Sequence, residues 1–244
     1  MVSFTPESIF SLGSISITNT LLGTLLVDII LIGSSVFITK KLSAIPNFFQ
    51  NVSEYIIEIF YSLIESVAQN RASLIFPYVM TFFLFILVAN WSGLIPGVGT
   101  IGLFRDEKLI PLLRSATSDL NLTLALAIVS SVATHILSIR VVGFGDYLSR
   151  YLSLNPINLF IGILEVISEI TKVISLSFRL FGNIFAGEVV LLTVSSIFAF
   201  IFPTPFLLLE IIIGMVQALV FAMLTMAFMA ILTTHHKPKE VTTT

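Results

Sequence analysis

The chain contains no cysteine, which excludes disulfide staples, thiolate nucleophiles and Cys-ligated metal sites and leaves the redox compartment unspecified. Charge is nearly as scarce. Asp, Glu, Lys and Arg make up 11% of the 244 residues, against about 25% in a soluble domain. With 12 basic and 14 acidic side chains there is no basic excess for a nucleic acid to bind. Neither HExxH nor GxSxG occurs, so the two commonest hydrolase signatures are missing. Internal repeats, low-complexity tracts and a soluble domain are absent as well. What fills the sequence is hydrocarbon: 56% of residues are hydrophobic and the mean hydropathy is +1.05. The class expected is an all-α, polytopic integral membrane protein.

Apolar runs and their punctuation divide the chain. Residues 1–14 are expected outside the membrane. Residues 15–39 are apolar apart from Asp28 and exceed the roughly 20 helical residues that cross about 30 Å of hydrocarbon. The first basic residues, Lys40 and Lys41, follow that run, an order unlike a secretory signal peptide with its basic leading region. Pro46 opens residues 46–70, where Glu54, Glu58 and Glu65 share one helical face and Val52, Ile56, Ile59, Leu63 and Val67 another. That pattern reads as an amphipathic interfacial helix. Residues 73–95 form the next span, closed by Trp91 and Pro96. Asp119 caps a third over 120–139, which stops at Arg140. Asn155-Pro156 then opens another helix in the usual N-cap and N1 manner.

From residue 157 to 201 there is no proline. About 45 residues at about 1.5 Å rise make about 68 Å, over twice the hydrocarbon thickness. The segment is therefore either a hairpin of two spans or one inclined helix. One inclined crossing places Lys40, Lys41, Arg71, Arg140, Arg150, Lys237 and Lys239 on the cytoplasmic side and only Arg105, Lys108 and Arg114 outside. A hairpin would move Lys237 and Lys239 outside and weaken that asymmetry. The expectation is thus one oblique helix over 156–201, stopped by Pro203 and Pro205, then a last helix over 206–232 and a cytoplasmic tail, 235–244. That makes about five crossing helices, two of them long and oblique, plus the interfacial helix.

Three short patterns carry no chemistry here. Gly97-Val-Gly-Thr-Ile-Gly102 matches GxGxxG but follows a membrane helix, with no βαβ unit to hold a dinucleotide. Gly143-Phe-Gly-Asp146 resembles an aspartyl-protease motif, yet it sits past Arg140 and reads as a surface turn. His235 and His236 are adjacent, point apart on a helix and chelate poorly. No cofactor and no metal are expected.

The charges that matter lie between Pro156 and Leu232: Glu165, Glu169, Lys172, Arg179, Glu188 and Glu210. Ionisable groups at membrane depth cost roughly 2.5–3.5 kcal/mol each on insertion scales for Asp, Lys or Arg and mark ion pathways. At 100° per residue Glu165, Lys172 and Arg179 form one stripe, while Glu188, nine positions past Arg179, lies about 180° round the helix. Glu169 and Lys172, three apart, are spaced to pair. Glu210 and Gln217 share a face of the last helix. Gly214, Ala218 and Ala222 make a small-residue ridge, for which Gly182 and Ala186 of the preceding helix offer a matching surface.

Ser175-Leu-Ser-Phe-Arg-Leu-Phe-Gly-Asn-Ile-Phe-Ala-Gly-Glu188 resembles the signature of subunit a of F-type ATP synthases, the stator of the membrane proton channel. The resemblance extends over nearly the whole chain: Asn90 before Pro96, Asp119 with Asn121 and Thr123, Glu165 and Lys172 ahead of the arginine, and Glu210 with Gln217. Where Glu210 stands, some members carry histidine. The resemblance implies a non-catalytic subunit that passes protons to and from carboxylates of a rotor ring of small c-type subunits. Peripheral-stalk subunit b and the other synthase subunits are implied partners, and a bacterial plasma membrane the implied location. Arg179 would be the essential residue facing the ring. Glu188, Glu210, Gln217 and Asn183 would line the outer path, with Asn90, Asp119 and Asn121 nearer its mouth, and Glu165 and Glu169 would flank the inner exit. The competing readings, an ion-coupled secondary transporter and an intramembrane hydrolase, lack helix repeats and hydrolase motifs respectively.

Overall fold

Thr18 starts the first helix. Its extended backbone and its hydroxyl, which accepts from the Leu21 amide at 3.3 Å, cap α1, Asn19–Thr39. In this computed structural model, which describes residues 7–12, 15–40, 42–95, 102–105, 108–111, 114–151, 156–197 and 203–234, residues 15–18 are thus not part of the first span. They form β2, Ile15–Thr18, antiparallel to β1, Ser8–Leu12. The alternating, β-branched run Ile-Ser-Ile-Thr suits a strand better than a helix. A second hairpin, β3 (Gly102–Arg105) with β4 (Lys108–Pro111), occupies the loop that follows the second span.

The remaining elements are helical: α2, Phe48–Ala68; α3, Ala72–Ser92; α4, Leu120–Val142; α5, Phe144–Tyr151; α6, Pro156–Ile197; and α7, Pro203–Thr233. Four helical stretches have the length and composition to cross a membrane: Asn19–Thr39, Phe48–Ser92, Leu120–Val142 and Pro203–Thr233. α6, at 42 residues, is the longest, and its charges set it apart from those four. It runs unbroken over Pro156–Ile197, so those residues do not form a hairpin. Pro203 and Pro205 do not precede α7 but sit in its first turn, where a missing amide hydrogen has no intrahelical partner to lose. Residues 198–201, Asn155, the first five glycine-motif positions (97–101) and the tail 235–244 lie outside the described residues.

Helix α2 folds back at Gln69, whose φ of 48° breaks the helix, and brings Phe60 to 4.4 Å from Phe83, ring centre to ring centre, and Tyr61 to 5.6 Å from Phe76. The packed stripe is Ile56, Phe60, Ile64 and Ala68. Of the apolar face read from the sequence only Ile56 belongs to it; Val52, Ile59, Leu63 and Val67 stay exposed. Gly143, with φ of 94°, ends α4, but the other three residues of that motif, Phe144 to Asp146, form the first turn of α5 and not the surface turn expected.

The core is made where α3, α4, α6 and α7 meet, around Val79, Ile86, Ala127, Leu180, Ala218 and Met229. Small hydroxyls stitch it together. Thr123 and Ser177 lie 3.2 Å apart between α4 and α6, Ser130 and Thr225 2.9 Å apart between α4 and α7, and Ser138 donates to the Leu232 carbonyl at 2.6 Å. Such buried hydrogen bonds hold helices where surrounding lipid offers no hydrophobic drive to associate. Outside, large apolar residues are bare, Ile29 at 71% and Ile157 at 74% exposure, as hydrocarbon contact demands.

The ridge of Gly214, Ala218 and Ala222 is buried, but Gly182 and Ala186 are not its partners; both are exposed. At Gly214 it receives α3. A Cβ there would stand 3.1 Å from that of Asn90, whose Nδ2 donates to the Gly214 carbonyl at 2.8 Å, while Trp91 Nε1 donates to that of Ile211 at 3.1 Å. Gly214→Leu is expected to lever α7 off α3 and destabilise the fold by about 1–3 kcal/mol, the usual range for overpacking. Thermal unfolding in detergent would measure it, and an unchanged midpoint would contradict the packing described.

Candidate functional site

Two polar clusters stand at opposite ends of α6, with Arg179 between them. The outer one begins with a loop. After β4 the chain turns inward, and Ser115 to Ser118 are buried against α1, α3, α4 and α6. Close approach of backbones permits this: a Cβ on Gly23 would meet the Arg114 carbonyl at 2.7 Å, and one on Gly93 would meet Ser115. The tuck delivers Arg114, whose Nη2 lies 3.4 Å from Glu188 Oε2, with side chains 9% and 25% exposed.

Beside this pair, Glu210 reaches across from α7. It is buried, its Oε2 makes no hydrogen bond, and its Oε1 lies where a Cβ on Gly187 would come within 2.7 Å. Glycine at 187 leaves room for the carboxyl beside the α6 backbone next to Glu188, and a larger residue there would push the Glu210 side chain aside. Asn90 is buried at the α3–α7 contact, with its Oδ1 also unpartnered. Two unsatisfied buried oxygens within one region are the sort of acceptors that ordered water or a moving proton would engage. Gln217 is half-buried on α7; Asp119 caps α4 by accepting from the Asn121 amide at 2.9 Å; Asn121 is exposed.

The inner cluster is built by α4, α5 and α6. Arg150 Nε pairs with Glu165 at 3.2 Å, and Lys172 Nζ with Glu169 at 2.7 Å. Lys172 also sits 4.5 Å over the Phe228 ring. On the other side of Glu169 stands His135, Nε2 to Oε2 3.8 Å, with its Nδ1 3.1 Å from the Tyr147 hydroxyl. Burial, with Tyr147 alongside and the Glu165 and Glu169 carboxylates near, pushes the Tyr151 phenol well above its usual value and keeps it protonated.

Arg179 differs from every other charge on α6. It is exposed, its side chain donates to Ser175 Oγ at 3.4 Å, and among the described residues no carboxylate lies within ion-pair distance. Asn183 is exposed four residues on, and the neighbours on that face are small: Ser175, Gly182 and Ala186, with open space beyond Gly182. Glu188 points to the opposite, inward side. Glu188 and the outer cluster thus lie on the packed side of α6, while Arg179 looks out from the stripe it shares with Glu165 and Lys172.

Sequence reasoning took Arg114 and Arg150 merely as loop charges and passed over His135 and Tyr147. His135 carried a signal that was available, an ionisable ring inside an otherwise apolar span. The arginines carried none, because their partners lie 74 and 15 positions away.

The family model described as ATP synthase A chain matches residues 20–230. Curated relatives include ATP synthase subunit a of Moorella thermoacetica, 35% identical over 230 residues, which cover 94% of this chain and 97% of that one. The subunit a of Legionella pneumophila strain Paris is 35% identical over 222 residues, 91% of this chain and 89% of its own. ATP synthase subunit a 2 of Pelobacter propionicus is 34% identical over 226 residues, 93% and 91% of the two chains.

Proposed function

The chain belongs to the ATP synthase A chain family, and on that premise we propose that it is the stationary proton-channel subunit of an F-type ATP synthase, in a bacterial plasma membrane. Its partners are a rotating ring of small subunits, the peripheral-stalk subunit b and the rest of the complex. It catalyses no bond chemistry itself.

The observation that carries this reading is Arg179: a permanent cation without a carboxylate partner of its own, on an exposed face lined by small side chains. A guanidinium cannot shed its proton to escape a low-dielectric setting, so it needs a counter-charge from outside the chain. Ring carboxylates supply one. In lipid they are neutral, because desolvation disfavours their charged form; passing Arg179 they ionise and release a proton to the inner side. The outer path, with Glu188, Glu210, Gln217, Asn183, Asn90, Asp119 and Asn121, reloads them. Glu165 and Glu169 flank the exit. Since the outer and inner clusters do not meet, a proton crosses only by riding the ring, and each charge carried down 100 mV delivers about 2.3 kcal/mol.

The absence of native cysteine makes the test clean. Gly182→Cys, three residues from Arg179 on the same exposed face, is expected to crosslink to a cysteine placed beside the ring carboxylate. A complex in which position 182 forms no such link, while a cysteine elsewhere on the chain does, would show that another face meets the ring.

A further inference from the structure

We infer that His135 is a proton-relay residue of the inner path, with Tyr147 as the group that positions it; this rests on the channel function proposed above. The ring stands on the wall of an open cleft of about 380 Å³ between α4, α5 and α6, lined also by Ser131, Tyr147, Tyr151 and Glu169. A much smaller cavity, about 10 Å³, shares Ser131 and Glu169 with that cleft and extends it along α4 and α6 past Lys172 to Leu176. The cleft and the cavity, lined also by Val166, Ile170, Val173 and Phe228, together run along α6 from Val166 to Leu176. Glu165, Lys172 and Arg179 follow one another at seven-residue intervals along the same edge of the helix.

Every group facing His135 suits a relay. From α5, the Tyr147 hydroxyl meets Nδ1 at 3.1 Å and the two rings stand edge to face at 6.0 Å; Tyr151 packs on Tyr147. From α6, the Glu169 carboxylate faces Nε2 at 3.8 Å, and Lys172 holds the other Glu169 oxygen. With Nδ1–H donated to the Tyr147 oxygen, Nε2 is the free base. Once the 3.8 Å between them closes to hydrogen-bond range, or through one intervening water, it accepts a proton arriving at Glu169, becoming imidazolium while the carboxylate regains its charge and its pairing with Lys172. The imidazolium then gives that proton from Nε2 to water in the cleft. One proton enters and one leaves at the same atom, and the tautomer held by Tyr147 is restored. Lys172 Nζ stays 2.7 Å from Glu169 Oε1 as its counter-charge, and the Arg150–Glu165 pair flanks the exit.

The test uses the whole complex in inverted vesicles, whose inner face meets the medium. His135→Ala is expected to lower ATP-driven proton flux, which in these vesicles draws protons from the medium, about tenfold, a modest value for loss of a positioned acid–base group, and imidazole added to the medium is expected to restore it in proportion to its imidazolium form, with no effect on the parent. Tyr147→Phe is expected to lose less flux and to alter its dependence on the pH of the medium. Unchanged flux in His135→Ala would overturn the assignment. So would a loss that imidazole leaves untouched with the pH profile unmoved, the mark of a merely structural histidine. Either result leaves the channel reading standing as long as Arg179→Ala uncouples the complex; if that variant still couples, the underlying reading fails first.

Discussion

Arg179→Ala is expected to abolish ATP synthesis by the assembled complex while leaving the membrane passively leaky to protons. On the function proposed, ring carboxylates would depend on a fixed positive charge to ionise in passing. At about 4 Å and an effective dielectric constant near 20, that attraction amounts to about 4 kcal/mol, roughly a thousandfold in the ionisation equilibrium. Nothing else on the exposed face replaces it: Ser175, Gly182, Asn183 and Ala186 are uncharged. On the function proposed, the same cation would repel protons passing directly between the outer and inner clusters, so its loss is expected to open a leak as it stops rotation-coupled flow. Arg179→Lys is expected to restore little, because an ammonium can deprotonate where a guanidinium cannot. ATP synthesis and passive proton conductance, measured on the same reconstituted vesicles, decide the matter. Full ATP-driven pumping by Arg179→Ala would falsify the role given to this residue.

The second large effect is expected at Arg114. Its guanidinium is nearly buried against Glu188, itself only one-quarter exposed, with the Glu210 carboxyl beside them. Arg114→Ala leaves two carboxyls crowded in a poorly hydrated pocket without a neutralising cation. Breaking a buried pair costs about 3–5 kcal/mol, and the partial exposure of Glu188 reduces this to about 2–3 kcal/mol. Glu188→Gln alone is expected to slow proton flux without preventing assembly, and Arg114→Ala with Glu188→Gln to be more stable than Arg114→Ala. A thermal-unfolding double-mutant cycle reads the coupling. Strictly additive losses would mean that the two side chains do not act as a pair, and unchanged flux in Glu188→Gln would remove that carboxyl from the path.

Much of the fold was legible because lipid imposes simple rules. A run such as Leu120–Val142 is predominantly apolar and long enough to cross; Asp119 before it and Gly143 after it mark its ends by hydrogen-bonding and backbone preference. The unbroken length of α6 followed from a proline-free stretch and the distribution of lysines and arginines. What misled was local. Residues 15–18 are as apolar as a span, and hydropathy does not reveal that they pair with Ser8–Leu12. The ridge of Gly214, Ala218 and Ala222 announced a close contact but not its partner, since small residues are shape without address; Asn90 and Trp91 of α3 take the place expected of α6.

By itself the sequence determined the class of the molecule, the number of charges that must be accommodated within the bundle, and the opposed directions of Arg179 and Glu188. Those follow from desolvation and from the 100° turn of a helix, which operate residue by residue. Only the tertiary structure decided who answers each charge: Arg114 for Glu188, Arg150 for Glu165, His135 and Lys172 together for Glu169, and among the described residues no acid at all for Arg179. Ion pairing depends on distances between segments far apart in the chain, and helical periodicity carries no information about those distances.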